Sequence, residues 1–291
     1  MPATSEFAVQ LPFPLVELRD ERVAGAGVRL LLKRDDLLHP DVPGNKWRKL
    51  KNNLAAAREQ GHRRLLTFGG AYSNHLRATA AAGKHFGFGT VGVVRGEEHR
   101  PLNESLAYAE RQGMRLTYLD RATYRRKTEP DVLAGLAARF GPCYVLPEGG
   151  SNGLASRGCA ELPAEITEDF DVICCACGTG ATLAGIAASL RPGQRALGFA
   201  VLKGDFLDRE VRRLQQEAFA TETRTWSLDS DFPFGGYAKR TAELDAFIAD
   251  FQARHGVTLD WVYEAKMMYG LLQRITAGTF APGSTVVAVL C

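Results

Sequence analysis

Four short stretches carry residue types that can bind or react. The first is Cys177-Gly178-Thr179-Gly180-Ala181-Thr182, which follows an apolar run and opens a helical pattern. Such a turn points backbone N–H groups at one spot, and the positive end of the helix dipole favours an anion there. Thr179 and Thr182 add hydroxyl donors. No Lys-Ser/Thr follows, as in a Walker A loop, and Gly178 and Gly180 lack the third glycine of a dinucleotide fingerprint. Phosphate binding and a plain tight strand–helix turn both stay open. The second stretch is Gly44-Asn45-Lys46-Trp47-Arg48-Lys49-Leu50-Lys51. A charge run ordinarily means a solvated helix face. Lys46 differs in lying at the helix start behind Pro43-Gly44, where the dipole opposes an ammonium and favours the neutral amine that a Schiff base needs. The third, Gly69-Gly70-Ala71-Tyr72-Ser73-Asn74-His75, again runs from glycines into a helix, with Ser73 and Asn74 as good N-caps. Ser73 and His75 are two apart and do not share a helix face, which argues against a Ser–His nucleophile pair. The fourth is Trp261-Val262-Tyr263-Glu264-Ala265-Lys266, which on its own reads as a strand end entering a helix with an acidic first turn.

These residues need a frame, and the pattern is strand, loop, helix, repeated. Strands are expected at 29–33, 64–68, 90–95, 115–119, 143–146, 172–175, 195–201 and 285–290. Helices are expected at 45–60, 73–86, 103–112, 130–140, 154–166, 181–190, 206–217, 238–255 and 265–277. Strands separated by helices argue for an α/β protein with parallel-type sheets flanked by helices. The 30 glycines among 291 residues cluster after short apolar runs, where α/β proteins place ligand loops. Hydrophobic residues make up 45% and charged residues 24%, an ordinary globular balance. A formal net charge of +3 is too small a bias to argue for a nucleic-acid partner. The apolar runs fall well short of the roughly 20 residues of a membrane helix. The N-terminus lacks a basic segment followed by an apolar one, so a cytoplasmic location is expected. Six cysteines are no disulfide scaffold. Cys174 and Cys177 form a C-x-x-C inside the apolar run DVICCAC, without the second pair or the His-x3–5-His pair of a zinc site; they read as small core residues, and no metal is expected.

Each stretch is unspecific by itself, but their order is not. A Gly-Asn-Lys lysine, Gly-Gly-x-x-Ser-Asn-His, Gly-Thr-Gly-x-Thr and Val-Tyr-Glu-x-Lys, in that order, resemble the 1-aminocyclopropane-1-carboxylate (ACC) deaminase and D-cysteine desulfhydrase family of pyridoxal-phosphate enzymes, within the tryptophan-synthase-β-like fold group. The likeness runs from about Leu11 to the C-terminus, and LLKRDDLLHPDVPGNKWRKL is its most specific part. It implies two domains, a smaller one at 45–146 inserted in a larger one of 1–44 and 147–291, with pyridoxal 5'-phosphate between them. It implies that Lys46 is the Schiff-base lysine, that Asn74 bonds the cofactor's phenolic oxygen, and that Gly178, Thr179, Gly180, Ala181 and Thr182 hold its phosphate with Lys49 nearby. By the same likeness Ser73 lies by the substrate carboxylate and Cα, Tyr237 and Tyr263 are active-site tyrosines, and Glu264 lies beside the pyridine nitrogen.

The implied activity is release of ammonia and a 2-oxo acid from a small amino acid, D-cysteine or ACC, by a homodimer. The substrate signals are mixed. Tyr237 and Tyr263-Glu264 resemble the deaminases, whereas His75 resembles the desulfhydrases, since the deaminases carry Gln there. Tyr72, Trp47, Ala265 and Met267 depart from the pattern. Relatives follow the last strand with a His-Thr/Leu-Gly-Gly loop; the sequence here ends at Val289-Leu290-Cys291. Other reactions of the fold group (serine dehydration, β-replacement) and a non-catalytic cofactor-binding protein are alternatives. A nucleotide-binding oxidoreductase is a third, lacking the full fingerprint and an acidic residue after strand 195–201.

Overall fold

A computed structural model describes residues 14–291 of the chain. Backbone packing divides them into two compact units: unit 1, His39–Ser151, and unit 2, 14–38 together with Asn152–Cys291. The insert expected at 45–146 lies inside unit 1. The chain opens in unit 2 with β1 (Leu15–Glu17), α1 (Glu21–Gly25) and β2 (Arg29–Arg34). Unit 1 then runs α2 (Gly44–Glu59), β3 (Arg64–Gly69), α3 (Asn74–Phe86), β4 (Gly89–Arg95), α4 (Glu104–Arg111), β5 (Met114–Leu119), α5 (Arg121–Arg125), α6 (Pro130–Phe140) and β6 (Tyr144–Leu146). Unit 2 resumes with α7 (Gly153–Cys159), β7 (Val172–Cys177), α8 (Ala181–Ala188), β8 (Arg195–Ala200), α9 (Phe206–Phe219), β9 (Trp226–Asp229), α10 (Ala242–His255), α11 (Glu264–Thr276) and β10 (Thr285–Leu290).

In unit 1 a four-stranded parallel sheet has the order β5-β4-β3-β6. Successive strand residues point to opposite faces, so the apolar run of β3 serves two cores. Leu65 packs with Leu50, Leu54, Ala78 and Ala81 of α2 and α3. Its neighbour Leu66 packs with Val91, Leu136 and Phe140 on the other side. The small residues of α3 let it lie close to the sheet: a Cβ on Gly83 would stand 2.2 Å from Thr90 Cγ2.

Unit 2 is a six-stranded sheet, β1-β2-β10-β7-β8-β9, parallel except where β1 pairs with β2. Its faces are covered by α1, α10 and α11 residues on one side and α7, α8 and α9 residues on the other. The C-x-x-C reading as core holds. Cys174 faces the first core and Cys177 the second, as an odd spacing along a strand requires. Burial pushes the Cys174 thiol well above its ordinary value, away from the thiolate a redox or zinc role needs.

Three expectations are corrected. The helix at 154–166 ends at Cys159, and Pro163 opens a separate 3-10 turn (Pro163–Glu165), because proline cannot supply the interior N–H. The helix at 238–255 starts only at Ala242, where Thr241 Oγ1 accepts from Leu244 N at 3.2 Å; Ala238 lies at φ +50°. Residues 261–263 form a turn rather than a strand end. The sequence reading also assigned no element at β1, α1, α5 or β9; each is five residues or fewer, too short for periodicity to register. Among the described residues no helix is long and apolar enough to cross a membrane.

Candidate active site

Unit 1 carries Lys46, Lys49, Ser73 and Asn74. Pro43 caps α2 with extended backbone and accepts from Lys46 N at 3.1 Å, so Lys46 is the third residue of the helix, as expected. No acidic side chain lies in that first turn, and Lys46 Nζ donates to Asn45 Oδ1. Lys49 follows at i+3 on the same face, buried, with its ammonium 3.4 Å from Gly149 O. Both cations bear on His75, whose imidazole is held down to about 3, first by burial and then by the charges of Lys49 and Lys46. His75 is therefore a neutral core residue. Its Nε2 bonds Thr67 Oγ1 at 2.9 Å, and a Cβ on Gly150 would stand 2.7 Å from its ring. It makes no bond to Ser73, in line with the expected absence of a Ser–His pair. Ser73 caps α3, its Oγ accepting from Leu76 N at 3.3 Å, and Asn74 is the helix's first residue. The tight turn demands glycine at the end of β3, since a Cβ on Gly69 would lie 2.7 Å from Ser73 Cβ.

Unit 2 carries the remaining residues and brings several of them together. Gly180, at φ +84°, ends the loop after β7 and caps α8 without a side-chain bond; no acidic residue follows in the first turn. Those N–H groups thus face the loop with the positive helix end behind them. The ring of Tyr263 lies over Gly178, where a Cβ would meet Cε1 at 3.0 Å. Asp260 Oδ1 accepts from Val262 N at 2.9 Å and Tyr263 N at 2.8 Å, which sets the backbone that aims this tyrosine. Tyr237 meets Tyr263 edge-on, ring centroids 6.2 Å apart. Glu264, the first residue of α11, is buried; one carboxylate oxygen accepts from Asp260 N at 3.1 Å and the other from Cys291 N. Burial pushes its carboxyl up to about 8, and the charge of Asp260 adds to this, against the two backbone bonds.

Sequence reasoning missed Lys266. It is 1% exposed, and its ammonium donates to Pro233 O at 2.9 Å and Gly236 O at 2.7 Å. The turn it grips leads into Tyr237 and is costly: Phe234, Gly235, Gly236 and Ala238 all have positive φ. Burial lowers the Lys266 ammonium to about 8. The available signal was the last position of Val-Tyr-Glu-x-Lys, a lysine two residues from Glu264 and so on another helix face.

Unit 2 offers an uncapped helix start behind a glycine loop and a buried acid, groups suited to an anionic cofactor, and unit 1 separately offers an amine at a helix start. The chain belongs to the pyridoxal-phosphate-dependent enzymes, whose family model matches residues 9–291. Within them it belongs to the ACC deaminase/D-cysteine desulfhydrase family. A bifunctional D-cysteine desulfhydrase/ACC deaminase of Arabidopsis thaliana is 30% identical over 86% of this chain and 68% of its own. D-cysteine desulfhydrase of Klebsiella pneumoniae is 29% identical over 87% of this chain and 83% of its own. The solved structure of an ACC deaminase homologue superposes with a TM-score of 0.85 at 28% identity, over 97% of this chain and 89% of that one. The residues present fit the cofactor: the loop ends in an uncapped helix start with no acid in its first turn, and Gly180 holds a backbone angle that side chains disfavour.

Proposed function

We propose that this chain releases ammonia and a 2-oxo acid from D-cysteine or ACC, with Lys46, Ser73, Tyr237 and Tyr263 acting on the substrate. The observation that carries the reading is in unit 2: Tyr263 lies on Gly178 of the anion-binding loop and edge-on to Tyr237. Phosphate loop and paired phenols thereby share one place. The activities named for the Arabidopsis and Klebsiella relatives support the same reading.

Pyridoxal phosphate, when bound, supplies a ring that takes up negative charge from the substrate Cα. The N–H groups of Gly178, Thr179, Gly180, Ala181 and Thr182 bind the phosphate, with Lys49 adding positive charge. Asn74 bonds the phenolic oxygen. Glu264 holds a proton at the pyridine nitrogen; a cation placed there favours the ionised carboxylate that burial alone disfavours. Lys46 is the amine that holds the cofactor and the base for the Cα proton of D-cysteine. Ser73, at the positive end of α3, orients the substrate carboxylate. D-Cysteine and water then yield pyruvate, hydrogen sulfide and ammonia.

ACC has no Cα hydrogen, so its ring opens at another carbon. Tyr237 and Tyr263 are the groups placed to move a proton there, and ACC with water yields 2-oxobutyrate and ammonia. The phenol pair supports the ACC arm. The His75 that resembles the desulfhydrases is occupied in the core of unit 1 and does not oppose it. A homodimer in the cytoplasm completes the proposal; sedimentation velocity tests the dimer.

The test is release of pyruvate or 2-oxobutyrate by protein loaded with pyridoxal phosphate. Release from either amino acid, abolished in Lys46→Ala together with the visible absorption band, supports the reading. Failure of both while D-serine reacts moves the substrate and keeps the family chemistry. A colourless protein that stays colourless with the cofactor ends the assignment of Lys46.

A further inference from the structure

We propose that His39, Asp41 and His85 of unit 1 form a binding site for a divalent transition-metal ion of the zinc class. One donor atom from each lies within 4.8 Å of the others, and His39 is buried while the other two are half-buried. His85 Nε2 stands 3.0 Å from Asp41 Oδ2, close to the separation of two ligands on one tetrahedral ion. The rings of His39 and His85 meet edge-on with centroids 5.0 Å apart.

Groups outside the cluster orient its carboxylate. The other oxygen of Asp41 accepts from Tyr108 OH at 2.7 Å, and the guanidinium of Arg77 lies 4.5 Å over that tyrosine ring. Asp41 N donates to His39 Nδ1 at 3.1 Å, a bond that an ion bound through this nitrogen would replace. Ligating carboxylates are characteristically oriented by outer bonds such as that from Tyr108. His85 closes the last turn of α3, where the helix carbonyls favour positive charge.

Two imidazoles and one carboxylate, with water in the fourth position, make a common tetrahedral set for zinc. The ion would tie the segment that enters α2, three residues before Gly44, to the C-terminal turn of α3. Those are the elements that carry Lys46 and Ser73-Asn74, so occupancy would stiffen both without touching substrate. The spacing hid this site from sequence reading, because two ligands come from a loop and the third from a helix beyond β3.

The experiment titrates the cofactor-loaded protein with ZnCl2 by calorimetry and follows its thermal midpoint, with Co2+ absorption as a second readout. Expected are one ion per chain, a raised midpoint, cobalt bands without thiolate charge transfer, and loss of binding in the His39→Gln/His85→Gln double variant. Tyr108→Phe keeps all three ligands and is expected to weaken binding by about tenfold or more. No binding by the unaltered protein, thiolate charge transfer with Co2+, or unchanged affinity in the double variant overturns the proposal. Should the double variant not fold, the Tyr108→Phe affinity and the cobalt spectrum decide.

Discussion

Glu264 gives the sharpest quantitative test of the site. Its carboxyl stands at about 8 against an ordinary 4.5, chiefly because burial penalises the charge. The folded chain without cofactor therefore keeps a proton that the unfolded chain has released between those two values. Stability from this group is whole below 4.5, falls as pH rises through the window, and is fully lost above 8. Each pH unit inside the window is worth about 1.4 kcal/mol, so moving from about pH 5.5 to about pH 7.5 costs about 3 kcal/mol. Glu264→Gln removes the titration. It also leaves one of the two backbone donors, Asp260 N or Cys291 N, without its acceptor, a cost of about 1–3 kcal/mol that does not vary with pH.

The readout is urea unfolding of cofactor-free protein followed by the fluorescence of Trp226 and Trp261, both in unit 2, with Trp47 of unit 1 replaced by Phe. The parent is expected to lose about 3 kcal/mol more than the Gln variant between the two pH values. Equal pH dependence in the two proteins would falsify the claim that Glu264 is a buried neutral acid before the cofactor arrives. Adding pyridoxal phosphate is expected to flatten the parent's slope, since a pyridinium partner restores the carboxylate.

Lys266→Met strips the ammonium from Pro233 O and Gly236 O and leaves each only its backbone donor, Gly236 N at 2.9 Å and Lys239 N at 3.2 Å. It is expected to destabilise by about 1–3 kcal/mol and to raise KM more than it lowers kcat, with Lys266→Arg restoring neither because the planar fork does not fit a 1%-exposed cavity. Gly178→Ala places a methyl 3.0 Å from Tyr263 Cε1; cofactor titration is expected to show weaker binding, with the fold unchanged by circular dichroism. Ser73→Ala removes the cap on Leu76 N and is expected to cost about 1 kcal/mol of stability and to raise KM further. A KM equal to the parent's would detach Ser73 from the substrate.

The elements that carry the chemistry were legible because their signals are local. Pro43-Gly44 before a long periodic run marks the start of α2 and so puts Lys46 in its first turn. Gly180 after VICCAC marks the end of β7, and Ser73 caps α3 where its type says it should. The turn at 234–238 was not legible. Positive φ at Phe234 and Ala238 defies the preference of those residues, and Lys266, some thirty positions later, helps to hold the turn by two of its carbonyls. The same holds for His75. Its type only marked a resemblance to the desulfhydrases, and Thr67, Gly150 and two lysines make it a neutral residue of the interior.

The amino-acid sequence by itself determined the alternation of strands and helices, the glycines where the backbone must turn sharply, and the order of motifs that identifies a pyridoxal-phosphate enzyme. Each of these follows from the conformational range of single residues and from apolar spacing over a few turns. Tertiary structure alone decided which ionisable groups are in water. Glu264 and Lys266 are two residues apart, both charged by type, yet one is a neutral acid and the other a buried ammonium clamp. Desolvation and partner geometry depend on what packs from distant parts of the chain, and no local pattern encodes them.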